Sequence, residues 1–253
     1  MRNCTIVLAL FVFALSLGTM ADAAMIGVNF GSDRSAMLST DTAGVDFAHA
    51  NWNNAPNRSG TQADITGPIA GKLADDSGSD SGVTLSWANS SSNTTYYTNF
   101  PLNDGDDKMM KGYIDLGNTT PPGITLEVSN LNQFASLYDV YVYAGRNGDA
   151  TPASVSNGTT TYGMKIGRST DASFPEDYAL ADTLSSEEQA NWDVGNYVLF
   201  ENMSGDSFTI TYAKLGSNSG VTGMQIVEVP EPGSLALLGI GLVGLIGFRR
   251  RKR

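Results

Sequence analysis

Thiols and imidazoles are almost missing from this chain: one cysteine and one histidine occur in 253 residues. Cys4 lies in an N-terminal apolar run. A chain cut behind that run keeps no thiol, no disulfide and no Cys-ligated metal. His49 is the only imidazole, which excludes a multi-histidine metal site. No Gly-x-Ser-x-Gly elbow accompanies it, so His49 reads as a strand or loop histidine with a backbone partner. Bases are also scarce, 15 against 26 acids, for a net charge of −11. Six of those bases and two of the acids fall in residues 1–23 and 229–253, so residues 24–228 hold 24 acids and 9 bases, a net −15. Without a basic footprint the body is not a nucleic-acid binder, nor does it dock on anionic lipid. No repeat of fixed period is present, against a propeller or solenoid.

Long apolar runs occur only at the two ends, and both read as addresses. Met1-Arg2-Asn3 is a positive start, Cys4 to Leu17 is apolar apart from Thr5 and Ser16, and Ala21-Asp22-Ala23 is a small-x-small site. That is the layout of a secretory signal cut after Ala23, with an apolar stretch shorter than the ~20 residues of a membrane span. At the other end Val229-Pro230-Glu231-Pro232-Gly233 precedes an uncharged run to Phe248 that contains Gly239, Gly241, Gly244 and Gly247. The chain closes on Arg249, Arg250, Arg251, Lys252 and Arg253. As a helix the run would reach ~24 Å, short of a hydrocarbon core of ~30 Å. It would insert as a marginal, transient span with the basic cluster on the cytoplasmic side and the body outside. The expected organisation is a signal peptide at 1–23, a body at 24–228 and an anchor segment at 229–253.

Pro230-Glu231-Pro232, the glycine-rich apolar run and the terminal cluster together resemble the PEP-CTERM sorting signal. The resemblance implies a Gram-negative bacterium that makes extracellular polysaccharide. It also implies a membrane-embedded cysteine protease, exosortase, that removes the tail near the PEP motif. The final location would then be the cell envelope, cell surface or extracellular matrix.

The body reads as all-β. Ile124, Leu126 and Val128 alternate with Thr125, Glu127 and Ser129. Leu137 to Ala144 is dense in Tyr and Val, residue types that suit a pleated surface. Further strands are expected at 25–31, 83–88, 162–167, 197–201, 207–213 and 221–229. This pattern predicts an antiparallel two-sheet sandwich, a jelly roll first and an immunoglobulin-like arrangement second. One short helix is expected at 184–192, with Ser185 and Glu188 as a capping box; 106–114 is ambiguous.

Three chemistries suit the remaining residues. Asp76, Asp80, Asp104 and Asp106 lie in two acidic, glycine-broken stretches that could hold calcium, since a hard cation takes clustered oxygens. Trp52, Asn53, Trp87 and Tyr97 have the composition of a sugar-binding face, an aromatic plane beside amide groups. A pair of carboxylates could hydrolyse glycans, although no pair stands out among 24 acids in the body. The segments Val28-Asn29-Phe30-Gly31, Asn51-Trp52-Asn53-Asn54, Gly112-Tyr113-Ile114-Asp115 and Tyr138 to Tyr143 also resemble exported PEP-CTERM proteins of planctomycete-type bacteria. Their bodies are similar to galactose-binding-like sandwiches. No catalytic residue carries over from that resemblance. The expectation is therefore a non-enzymatic exported protein that contacts extracellular polysaccharide weakly. A carboxylate-based hydrolase or lyase, and a purely structural self-associating protein, are the alternatives.

Overall fold

The computed structural model of the protein describes residues 23–90, 95–98, 104–116, 123–167 and 178–230. The predicted leader before Ala23, the apolar tail and its basic cluster lie outside them. Residues Ala24–Val229 form one compact unit. Among the described residues no helix is long and apolar enough to cross a membrane.

Two sheets of seven strands face each other. The first contains β1 (Met25–Phe30), β2 (Asn53–Ala55), β5 (Thr95–Tyr97), β6 (Gly112–Asp115), β8 (Leu137–Gly145), β12 (Tyr197–Ser204) and β14 (Gly220–Glu228). Its order is β12-β8-β14-β1-β2, and β6, carrying β5, shares the β14 edge with β1. The second contains β3 (Gly60–Thr61), β4 (Thr84–Asn89), β7 (Gly123–Ser129), β9 (Thr151–Ser156), β10 (Thr161–Ile166), β11 (Asp193–Val194) and β13 (Ser207–Lys214). Its order is β11-β10-β9-β13-β7-β4-β3. Pairing is antiparallel except at two short contacts, β1 with β2 and β10 with β11, so both sheets are mixed. β14, the last strand, is internal and pairs with β8, β1 and β6.

The sheets differ in how they meet solvent, and burial along their strands records it. β13 alternates strictly, with Phe208, Ile210 and Tyr212 inward and Ser207, Thr209 and Thr211 exposed. β7 repeats the pattern, with Ile124, Leu126 and Val128 inward. One face of this sheet is therefore wet. In the first sheet β1, β8 and β14 are buried nearly end to end, the signature of a sheet covered on both faces. The cover is the long β1–β2 connection together with α1 (Gly105–Lys111). Trp52 lies so close over Gly27 that a β-carbon there would sit 2.5 Å from its ring. Met109 and Met110 of α1 place their sulfurs 3.9 and 3.4 Å from the Thr222 hydroxyl.

Aromatic pairs bridge the two sheets along the sandwich. Phe30 meets Trp87 edge-on at 6.1 Å, Tyr138 meets Phe208 at 5.8 Å, and Tyr162 meets Phe200 at 5.4 Å. Large rings fill the gap that two sheets leave at about 10 Å separation.

The helix expectation needs correction. Residues 184–192 form only a 3-10 turn, Gln189–Asn191, and no side chain caps it. Ser185 instead donates its backbone N–H to Thr161 O, and Leu184 bridges to Tyr162. Pairing with the β10 edge competes with helix formation and wins, since an isolated helix this short is marginal. The α-helix forms in the ambiguous stretch, where the Asp104 side chain accepts from the Asp107 N–H.

Candidate functional site

The sugar-face expectation divides at the surface. Trp52, Asn53 and Trp87 are 0, 0 and 2% exposed, so none can stack on a ligand arriving from solvent. Trp52 donates its indole N–H to His49 O at 2.9 Å, and Trp87 donates to Asn57 O. Asn53 works as a staple. Its amide donates to Gly27 O and Ala74 O and accepts from Ala74 N, tying β2 to β1 and to the 74–80 turn. Asn54 does the same for Met37, accepting from its N–H and donating to its carbonyl. The Asn-rich stretch thus satisfies buried backbone, as interior amides must.

His49 has the backbone partner expected of it, with Nδ1 2.7 Å from Ala50 O and its ring stacked on Trp52 at 5.0 Å. Burial holds the imidazole below its ordinary value of 6.5, against the opposing pull of the Ala50 carbonyl and the Asp76 charge. A depressed basic pKa means the fold prefers the neutral ring. Its contribution is therefore whole above about pH 6.5 and is lost as pH falls below that, by at most ~1.4 kcal/mol per pH unit. Melting curves between pH 7.5 and 5.5 should show a loss that His49→Gln removes. Parallel curves for the two proteins would contradict this account.

The acidic residues expected to hold calcium are engaged separately. Asp76 accepts from Met25 N, and Asp80 pairs with Lys72 and accepts from Gly82 N. Asp104 caps α1, and Asp106 accepts from Gly44 N and from the Tyr178 hydroxyl at 2.6 Å. Among the described residues no three His, Cys, Asp or Glu side chains converge as a metal site would require.

Tyr97 stays at the surface, with a partner. Tyr96 and Tyr97 stack at 4.8 Å with their planes 9° apart, and they are 39 and 44% exposed. The pair belongs to β5, held on β6 by the Tyr96–Tyr113 register. Tyr113 meets Tyr96 edge-on at 6.1 Å and anchors it from inside. Lys111 Nζ lies 5.8 Å from the Tyr97 ring centre, within reach of a cation–π contact. Arg34 donates to the Thr95 hydroxyl and carbonyl at 3.2 and 3.1 Å, and that hydroxyl donates to Asp33. Lys111 therefore borders the aromatic pair, while Arg34, which also pairs with Asp33 at 3.7 Å, braces the strand at Thr95.

Behind Tyr113 lies a set of buried charges. Asp115, Arg146 and Lys214 are 5, 8 and 5% exposed. Burial raises the Tyr113 hydroxyl pKa, Asp115 adds to the rise, and Arg146 opposes it. Burial lowers Lys214, with Asp115 opposing. Asn89 donates to Asp115 O, and Tyr212 donates to the Ser219 hydroxyl at 2.6 Å. Sequence reasoning missed these groups, because Asp115, Arg146 and Lys214 come from three separate strand ends. The only signal was Gly112-Tyr113-Ile114-Asp115, read as a fold motif.

Comparison with known proteins adds one strong match. Residues 228–252 match the PEP-CTERM protein-sorting motif. The chain therefore carries the mark of an exported protein, made as a membrane-anchored precursor and processed by exosortase, a membrane protease. No curated protein matches the chain. Among solved structures, the catalytic domain of a GH87 alpha-1,3-glucanase in complex with tetrasaccharides is similar at 15% identity and a TM-score of 0.28. The match covers 59% of this chain and 29% of that one.

Proposed function

We propose that the sandwich is a non-enzymatic module that makes weak contacts with glycan in the envelope or extracellular polysaccharide matrix. The supporting observation is the Tyr96–Tyr97 pair, pre-stacked and about two-fifths exposed. Such a surface offers rigid apolar area to a sugar ring at little entropic cost, and phenol hydroxyls for its polar edge. Lys111, 5.8 Å from the Tyr97 ring centre, and the Arg34–Asp33 pair add polar groups at the edge of this surface. The resemblance of the body to galactose-binding-like sandwiches of planctomycete-type exported proteins points the same way.

Affinity electrophoresis in gels cast with extracellular polysaccharide tests this reading. Tyr96→Ala/Tyr97→Ala should lose about fivefold in retention, at ~1 kcal/mol for the pair and its contacts. Leu215→Ala, an exposed apolar residue elsewhere, should retain wild-type mobility. Equal retention of the double variant and wild type would refute the site, and reducing ends released from the polymer would favour a hydrolase. For the tail, Glu231→Ala should abolish processing. Intact mass would then keep Arg253, where the wild-type protein ends near Pro230–Pro232.

A further inference from the structure

The two ends of the body lie side by side. Met25 pairs with Val227 across β1 and β14, and the pairing continues one residue outward, where Glu228 donates its backbone N–H to Ala24 O at 2.9 Å. The Ala24 nitrogen in turn donates to the Glu228 carboxylate, Oε2, at 3.3 Å. The next nitrogen, that of Met25, donates to Asp76 Oδ1 at 3.0 Å. The first two nitrogens of the body thus each meet a carboxylate, from opposite sides of the sequence.

Ala24 is also the residue that a cut after Ala23 would expose. In the uncut chain its nitrogen is a neutral amide with one hydrogen. Hydrolysis of the Ala23–Ala24 bond consumes one water and leaves a carboxylate on Ala23 and an ammonium on Ala24. The nitrogen that touches Glu228 then carries a full positive charge and three donors. We propose that Glu228 and Asp76 form a receptor for the mature N-terminus, and that leader removal completes the β1–β14 seam by creating an ion pair. This rests on the leader reading given above.

The placement gives the pair a second consequence. Glu228 is the last residue of β14, and Pro230 of the sorting motif follows two residues later. Val229 donates its N–H to Leu137 O, so the chain is tied to β8 up to the motif. Cutting at one end therefore fastens the strand from which the other processing signal leaves. There an ion pair replaces a hydrogen bond from a neutral amide to a charged carboxylate, so the attraction between two full charges is added to a contact already present.

The test uses the full chain, exported in a Gram-negative host and purified in detergent. Its N-terminus is identified by mass, and acylation of the Ala24 amine by an acetyl N-hydroxysuccinimide ester is followed from pH 6 to 10. A free α-amine titrates near ~7.7–8.0, and an adjacent carboxylate favours the charged form by about one unit. The wild-type midpoint should lie near ~9, so that acylation at pH 7 is about tenfold slower than for an unpaired terminus. Glu228→Gln should return the midpoint toward ~8, and Asp76→Asn should lower it in part. A wild-type midpoint at the free value, with Ala24 as first residue, would overturn the receptor. A first residue other than Ala24 would overturn the leader reading instead, and mass separates the two failures.

Discussion

Trp52→Ala should cost the body about 3–5 kcal/mol, the range for deleting a fully buried aromatic ring. In a unit of this size that corresponds to a Tm lower by roughly 10 °C or more. Several supports go at once. The indole fills the gap above Gly27, stacks on His49, and holds the backbone at Ala43 and His49 through its N–H. Those contacts press the β1–β2 connection onto the first sheet. Without them the polar groups beneath are exposed to partial solvation, including Tyr143, whose hydroxyl accepts from Val45 N and donates to Gln225 at 2.8 Å. Trp52→Phe keeps much of the ring and loses only the indole bonds, so it should cost about 1 kcal/mol. Differential scanning fluorimetry of the two variants measures this directly. An alanine variant within 2 °C of wild type would mean that the cover contributes nothing to the fold.

Gly220→Ala should be as damaging, for a backbone reason. A β-carbon at Gly220 would sit 1.7 Å from the carbonyl oxygen of Ile114 and 2.9 Å from the Tyr113 ring. No side chain can move aside to relieve contact with a carbonyl in a paired strand. Gly220 is held on both sides, by Asp115 of β6 and Gly145 of β8. The added methyl must push β6 away from β14, at a cost of about 3 kcal/mol or more. β6 carries Tyr113, and Tyr113 anchors Tyr96. The variant should therefore lose glycan retention as well as stability, although both exposed tyrosines remain. Gly123→Ala is the matched control, because its nearest contact, Tyr212 O at 3.5 Å, is an ordinary one. If Gly220→Ala keeps both properties, the close approach of β6 and β14 does not hold the platform.

The strands were legible where apolar residues alternate or mass together. Eight expected strands appear within a residue or a few of their places, including 124–128 with its inward and outward residues correctly divided. β9 escaped because Thr151-Pro-Ala-Ser-Val-Ser156 is too polar to stand out. β2, β3, β5 and β11 have two or three residues each, below the length at which periodicity carries information. The parallel pairings were invisible, since register between distant segments leaves no local trace. The site was legible in part. Aromatic residues next to asparagine fit a sugar face and a buried staple equally well, and only burial separates Tyr97 from Trp52, Asn53 and Trp87. The stack of Tyr96 on Tyr97 could be expected from their adjacency, but not its anchor Tyr113.

The position of β14 sets the timing of folding. Ala24 and Glu228, which meet across the seam, are 204 residues apart in sequence. Closing such a contact is slow, because chain entropy must be lost before the contact rewards it. A chain exported from its N-terminus delivers β14 last, yet three strands depend on it for pairing. The first sheet cannot close until export of the body is complete. The strands of the second sheet all precede β14 and can pair before it, so the body sets as one sandwich only when its final strand emerges, just ahead of the sorting segment.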